Sequence, residues 1–352
     1  MNDFSIAGQA IDARHPPSLI APISANPGGK LDSALRLIEA AKEAGASAVK
    51  LQTYTADTMT IRSDAEDFQI RRGLWQGRQL YDLYEEAHTP WTWHHDLFAK
   101  GRELGITVII TPFDRTSVDF LESLGAPAYK IASFELVDLK LIGHVAATGK
   151  PMIISTGMAS LGEIQEAVDC ARAGGCRQLA LLHCVSGYPS PAGDANLGTM
   201  AHLAQAFDVT VGLSDHTLGI GVAVAPIGLG ARLIEKHFIM RRSDGGPDSS
   251  FSMEPPELAA LVREGNLAWQ AVGHVSYAVE PSEQENRIFR RSLYVVADIK
   301  AGERFTPENV RAIRPGHGLA PKHIDRVLGA VARRDLQRGT ALDWTAVGEA
   351  KA

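Results

Sequence analysis

Val211-Gly-Leu-Ser-Asp-His-Thr-Leu218 and Ala231-Arg-Leu-Ile-Glu-Lys-His-Phe238 are two short apolar runs that each end in ionisable residues. Side chains two apart on a strand share a face, so Ser214 is expected to point with His216, and Glu235 with His237. Two adjacent parallel strands would then bring two imidazoles and a carboxylate to one end of a sheet. Neutral imidazole is a common metal ligand, and an incomplete protein shell leaves positions open for substrate. A single histidine in such a place is more often a hydrogen-bonded structural residue. Two of them at matching strand ends, beside Glu235, Asp215 and Lys236, point to a site.

Six similar runs precede these two: Ser18–Ser24, Ser47–Thr53, Thr107–Phe113, Ala128–Ser133, Pro151–Thr156 and Leu179–Cys184, followed by Thr210–His216 and Arg232–Phe238. The segments between them carry apolar residues at three- and four-residue spacing, as in 31–45, 93–105 and 161–175, with glycine at or near each end as a stop signal. Eight strand–helix repeats predict an α/β fold, a closed (β/α)8 TIM barrel. An open doubly wound sheet is the rival, but no GxGxxG follows the first strand. One interval is too long for a simple connection, from Tyr54 to Trp93. It sits where such barrels bind substrate and reads as a lid or recognition loop; its Leu80–Ala87 stretch could equally be an outer helix packed on the barrel.

A helix over 256–272 is expected to end the barrel. From Ser292 onward the pattern changes to short β-rich runs and turns, and 297–306 and 334–343 look alike, each reading as strand, glycine turn, strand. The organisation expected is an N-terminal extension over 1–17, a barrel over 18–280, a linker over 281–291 and a small β-rich domain over 292–352.

Bulk properties narrow the function. The chain has 352 residues with a formal net charge of −6, which gives no reason to expect nucleic acid as a partner. Its N-terminus lacks the apolar stretch of a signal peptide and no window reaches the length of a membrane span. Three cysteines, Cys170, Cys176 and Cys184, make no complete disulfide framework and suit a reducing cytoplasm.

Polar residues at barrel strand ends are the catalytic candidates. In order they are Ser24 and Asn26, Lys50 and Gln52, Thr111 and Asp114, Lys130 and Ser133, Ser155 and Thr156, His183 and Ser186, Ser214 and His216, Glu235 and His237. Two lysines among hydroxyls suit a small, highly charged anion such as a phosphate or carboxylate. For any one hydroxyl, capping the following helix is at least as good an explanation. Lys130 could alternatively form a Schiff base, a chemistry in which paired histidine ligands would be superfluous.

The string IAxISANxxGxLDxALxLIEAAKEAGAxAVKLQTY resembles the sialic acid synthase family, as do KIASFE (130–135), ISTGM (154–158), LLHC-x-SGYPSP (181–191), GLSDHT, EKHF and GGPDSSFSMEP (245–255). The C-terminal segment, with Arg314-Pro-Gly-His-Gly318, resembles that family's antifreeze-like SAF domain. The resemblance runs in order from about residue 18 to 347. LWQGRQLYDLYEEAHTPW and GGPDSSFS look most like the pseudaminic acid synthase branch. The resemblance implies that phosphoenolpyruvate condenses with the open-chain aldehyde of a 2-acetamido sugar, releasing phosphate and a nine-carbon acid. It implies a divalent metal, Mn²⁺ or Mg²⁺, on His216 and His237, and Glu235, Lys50 and Lys130 in catalysis. Asn26, Gln52, Thr111, Ser133, Ser155, Ser186 and Ser214 would contact substrate, with Tyr188 and Asp248 facing the sugar. Arg314 would reach the other protomer's site in a domain-swapped homodimer.

The first strand end departs from the family pattern. Relatives read AEI-x-x-NHNG where this chain has Ala21-Pro-Ile-Ser-Ala-Asn-Pro-Gly-Gly29. Pro22 stands in place of a glutamate, and it carries no charge and donates no ladder hydrogen bond. Glu235 doing all the acid–base work, an N-acetylneuraminate or legionaminate synthase, and a non-catalytic sugar- or phosphoenolpyruvate-binding paralogue are the readings left open.

Overall fold

The computed structural model describes residues 4–349. Contacts divide the chain between Gly273 and His274 into two compact units. In the first, eight parallel strands close into a barrel. They are β3 (Ser18–Pro22), β4 (Ala48–Thr53), β5 (Thr107–Pro112), β6 (Tyr129–Ile131), β7 (Met152–Ser155), β8 (Leu179–Cys184), β9 (Thr210–Asp215) and β10 (Leu233–Lys236). β10 pairs with both β9 and β3, which closes the ring. The predicted barrel is therefore present, with its strands trimmed by a residue or two at several ends.

The helices of the outer ring form where the sequence pattern places them. α1 (Leu31–Glu43) buries Ala34, Leu37, Ile38 and Ala41 on one stripe, the spacing of a helix face turned to a core. Asp114 accepts from the Ser117 and Thr116 amides and caps α5 (Arg115–Ser123). It is thus a helix cap. A Ser160–Glu163 capping box opens α7 (Leu161–Ala173). Gly105 ends α4 (His94–Leu104) in the left-handed region at φ 63°, where a side chain would be strained.

Alternation along the strands sorts the barrel interior into layers. Ile20, Ala48, Ile109, Ala128, Ile153, Ala180, Leu182 and Leu233 pack together inside it. The same cluster contains Phe4, Ile6 and Ile11, from the hairpin of β1 (Ser5–Ile6) and β2 (Gln9–Ala10). The N-terminal extension is therefore built into the apolar filling of the barrel, two residues below the strand positions that carry Lys50, Lys130 and Glu235. A second, larger core lies between strands and helices.

The long interval after β4 folds into α2 (Ala56–Met59), a 3₁₀ turn at Glu66–Phe68 and α3 (Leu80–Ala87). The Ile70 amide donates to the Arg78 carbonyl at 2.9 Å, which pinches the loop between them. Within unit 1, α10 (Pro255–Val272) is the last helix. No helix among the described residues is long and apolar enough to cross a membrane.

The second unit has its own core of Leu293, Val295, Ile299, Phe305, Val310, Val327, Leu336 and Leu342. Among the described residues of this unit, only β11 (Ser292–Val295) and β12 (Val310–Ile313) form a regular ladder. The two similar fragments pair with each other rather than forming separate hairpins, through the bridge Ile299↔Leu336. Residues 281–283 and 285–289 make short 3₁₀ turns.

Candidate active site

Two residues up each strand from the apolar layer, the interior turns polar. Lys50, Thr111, Lys130, Ser155, Cys184, Ser214 and Glu235 occupy this level and are all buried. Gly212, below Ser214, has no room for a side chain, since an added Cβ would strike the Leu233 carbonyl and Leu182. The strand ends open into a cavity of about 400 Å³ lined by Lys50, Gln52, Lys130, Ser133, Ser155, Tyr188, Ser214, His216, Glu235, His237 and Asp248. Eleven of the residues singled out from sequence thus meet in one cavity within the first unit.

Its electrostatic centre is Glu235. Lys50 Nζ donates to Glu235 Oε1 at 2.6 Å, Lys130 Nζ lies 3.6 Å from the same oxygen, and Ser214 Oγ donates to it at 3.3 Å. Lys130 Nζ also donates to Ser155 Oγ at 2.6 Å. Burial works to raise the Glu235 carboxyl, but Lys130 and Lys50 outweigh it and hold it at about 2. Burial lowers Lys130 to about 8, with Glu235 pulling back and Lys50 pushing further down. Two lysines and one carboxylate leave one net positive charge, which is costly to bury without an anion. Glu235 Oε2 is buried with no hydrogen-bond partner.

Pro22 ends β3 between these groups. It pairs in register with Lys50, and its carbonyl accepts from the Phe238 amide at 2.9 Å. The ladder to the EKHF segment thus continues through the carbonyl, which is how a proline is tolerated here. No carboxylate stands at this position, so Glu235 alone serves both lysines.

His216 and His237 lie with ring centroids 5.5 Å apart. His216 Nδ1 is 3.0 Å from the Val185 carbonyl. A carbonyl only accepts, so Nδ1 carries a proton, and Nε2 is the ring nitrogen that this bond does not engage. Burial lowers the pKa of His237 and keeps its imidazole neutral. Its Nδ1 is buried without a hydrogen-bond partner, and Asp248 Oδ2 at 3.5 Å is too far to supply one. Two adjacent imidazoles, one with an orphaned ring nitrogen, are donor chemistry that a divalent cation satisfies. Among the described residues no group of three His, Cys, Asp or Glu side chains forms a ready-made cage; a cation held here would keep most of its positions for substrate and water.

The loops carrying the histidines are held from behind. Asp215 and Lys236, one residue out of step with the interior face, form a buried pair of 2.6 Å. Asp215 Oδ1 accepts from the Thr217 amide at 2.9 Å, and Lys236 Nζ donates to the Thr217 carbonyl. Asn26 ties the first strand end to the 245–255 loop, donating to the Phe238 carbonyl at 2.7 Å and Ser252 Oγ at 2.9 Å. Thr111 is fully buried, its hydroxyl unpartnered. Ser186 lies 3.8 Å from Cys184 Sγ and, with Ser133, crowds the one place where Gly157 lacks a side chain. Neither Asn26, Thr111 nor Ser186 lines the cavity. His183 faces away from the interior and bonds the Ala195 carbonyl at 2.7 Å. Arg314 lies in the second unit, directly after β12.

Glu135 and Cys184 are among the cavity residues that the strand-end candidates do not include. Glu135 lines the cavity, burial raises its carboxyl to about 7, and its Oε2 has no partner. It sits in a 3₁₀ turn, Ser133–Glu135, beyond the reach of strand alternation, although KIASFE displayed it. Cys184 is the last residue of β8, where counting by twos from Ala180 would have found it. Burial opposes its ionisation, but His216, Ser133 and Lys130 lower the thiol to about 7.

Comparison with known proteins identifies this architecture. The NeuB family model matches residues 37–277, and the SAF domain model matches 290–347. The chain belongs to the NeuB family. It is an enzyme of the sialic acid synthase group, a transferase that forms carbon–carbon bonds. It is 43% identical to the pseudaminic acid synthase of Campylobacter jejuni, over 92% of this chain and 94% of that one. Identity to the Helicobacter pylori pseudaminic acid synthase is also 43%, over 93% and 96%. The N,N'-diacetyllegionaminic acid synthase of Legionella pneumophila is 37% identical over 93% of each chain. Among solved structures, the N-acetylneuraminic acid synthetase of Leptospira borgpetersenii aligns with TM-score 0.72 and 31% identity, over 81% of this chain and 94% of that one.

Proposed function

We propose that this NeuB-family enzyme condenses phosphoenolpyruvate with a 2,4-diacetamido-2,4,6-trideoxy hexose of the altrose type, giving pseudaminic acid and phosphate. The observation that carries the reading is the Lys50–Glu235–Lys130 cluster, with its excess positive charge, beside two imidazoles in one cavity. Lys50, Lys130, Ser155 and Ser214 hold the phosphate and carboxylate of phosphoenolpyruvate over the strand ends. A divalent metal, Mn²⁺ or Mg²⁺, on His216 and His237 supplies Lewis acidity at the aldehyde oxygen when bound. The enol C3 forms a bond to the aldehyde carbon, whose oxygen ends as a hydroxyl by taking up a proton of the kind the entering water releases. Water adds at C2, and the C2–O bond to phosphate breaks, leaving a C2 ketone and inorganic phosphate. Glu235, ionised and aimed at the cationic C2, stabilises that charge and takes a proton from the entering water. Tyr188 and Asp248 line the sugar side.

A homodimer that exchanges C-terminal domains, each Arg314 serving the other protomer's cavity, belongs to the same proposal. Phe134, Val137, Met158 and Leu161, after β6 and β7, are each more than half exposed and suit a covered surface. The free cysteines Cys170, Cys176 and Cys184 fit a reducing cytoplasm.

The test is phosphate release from phosphoenolpyruvate with Mn²⁺, offering the trideoxy altrose sugar and N-acetylmannosamine separately, with a chelated control. Metal-dependent release with the altrose sugar alone is the expected result. Release only with N-acetylmannosamine reassigns the chain to the neuraminate branch. Tight binding without release in either case turns it into a ligand-binding paralogue and makes Pro22 decisive.

A further inference from the structure

Leu80, Leu83, Tyr84 and Ala87 recur along α3 at the spacing of a helix face that normally turns to the core. Here all four line the cavity instead. Leu83 is buried, yet it joins none of the apolar clusters that fill the two units. Ile70 and Met59, from the same insertion, continue this wall. Trp75 also contributes, but its one donor is already bonded to the Pro247 carbonyl at 2.9 Å. The cavity therefore has a cationic, hydroxyl-rich side made by strand ends and an apolar side made by the insertion.

An acceptor whose reacting carbon lies beside Glu235 and the imidazoles must send its unreactive end away from the strand ends. We propose that the α3 stripe, with Ile70, is the subsite for that unreactive end, and that it selects acceptors terminating in a methyl group over those terminating in a hydroxymethyl group. The inference rests on the synthase reading given above. A terminal hydroxyl held against Leu83 and Ile70 gives up its hydration and finds no partner in their side chains. Apolar pockets reject an added hydroxyl by about a hundredfold at most, so the preference is partial.

The experiment compares kcat/KM for the trideoxy sugar and its 6-hydroxy counterpart, in the wild type and in Leu83→Asn and Ile70→Thr. The wild type should favour the deoxy sugar by about 10- to 100-fold. Either variant should narrow that preference at least several-fold, with the KM for phosphoenolpyruvate unchanged. Equal use by the wild type, or an unaltered ratio in both variants, overturns the proposal. Saturation-transfer NMR on the wild-type protein gives a readout free of turnover and of variant folding. Transfer strongest at the C6 methyl supports the subsite, whereas transfer strongest elsewhere on the sugar, or even along it, overturns it. Methyl-centred transfer without phosphate release from either sugar would leave the subsite standing while the synthase reading fell.

Discussion

Lys50 Nζ and Glu235 Oε1 meet at 2.6 Å inside the barrel, from strands separated by the one that ends in Pro22. The pair is nearly inaccessible to water, so its geometry rather than its Coulomb energy decides its value. Glu235→Gln leaves Lys50 and Lys130 facing each other without a counter-charge. Removing one partner of a buried pair costs about 3–5 kcal/mol, and losing an acid–base group costs about 100-fold or more in rate. Denaturant midpoints and phosphate-release rates should fall together, and inorganic phosphate should stabilise the variant more than the wild type. An unchanged release rate would remove Glu235 from the chemistry.

Lys130, held at about 8 by burial, makes the cationic side of the cavity sensitive to pH. The sign is fixed by its charge: the ammonium is present below about 8 and lost above. Phosphoenolpyruvate should therefore bind less tightly as pH rises through 8, measured by calorimetry. Lys130→Arg keeps its charge over this range, so its binding curve should be flat there. A wild-type curve with no break near 8 contradicts the prediction.

Strand alternation makes most of this site legible in the sequence, because Lys50, Lys130, Ser155, Ser214 and Glu235 each sit two residues beyond a small or apolar interior residue. The barrel followed from the same periodicity. Glu135 was hidden because a 3₁₀ turn has no two-residue period. The α3 stripe was ambiguous for a deeper reason: a helix face turned to a ligand cavity and one turned to a core have the same sequence pattern. The N-terminal hairpin was missed because Phe4, Ile6 and Ile11 are too few and too widely spaced to mark a buried element, though all three are buried. Asn26 shows that a polar residue at a strand end can serve a neighbouring backbone as readily as a substrate.

His94 links the insertion to the barrel, its Nε2 2.6 Å from Thr53 Oγ1. Burial lowers this imidazole from 6.5 to about 4. The folded state thus refuses a proton that the unfolded chain accepts, so stability is full above about 6.5 and is lost as pH falls toward 4. The difference corresponds to about 3 kcal/mol. His94→Gln should lose some stability at neutral pH but show a shallower decline between pH 6.5 and 4. Parallel pH curves for the two proteins would refute the assignment.

Asp215 and Lys236 form the other buried pair, at 2.6 Å, and they touch the Thr217 backbone rather than the cavity. Their role is to fix the loop that carries His216 against the strand that leads to His237. Lys236→Met strands the Asp215 carboxylate and should cost about 3–5 kcal/mol, whereas adding Asp215→Asn removes the uncompensated charge and should recover part of it. Stability alone would not separate positioning from packing, so the deciding measurement is Mn²⁺ affinity by electron paramagnetic resonance. Supporting contacts behind metal ligands are worth about 10- to 100-fold in affinity. The double variant, with part of its stability recovered, should still bind Mn²⁺ at least several-fold more weakly. Recovery of stability and Mn²⁺ affinity together would make the pair an ordinary structural contact.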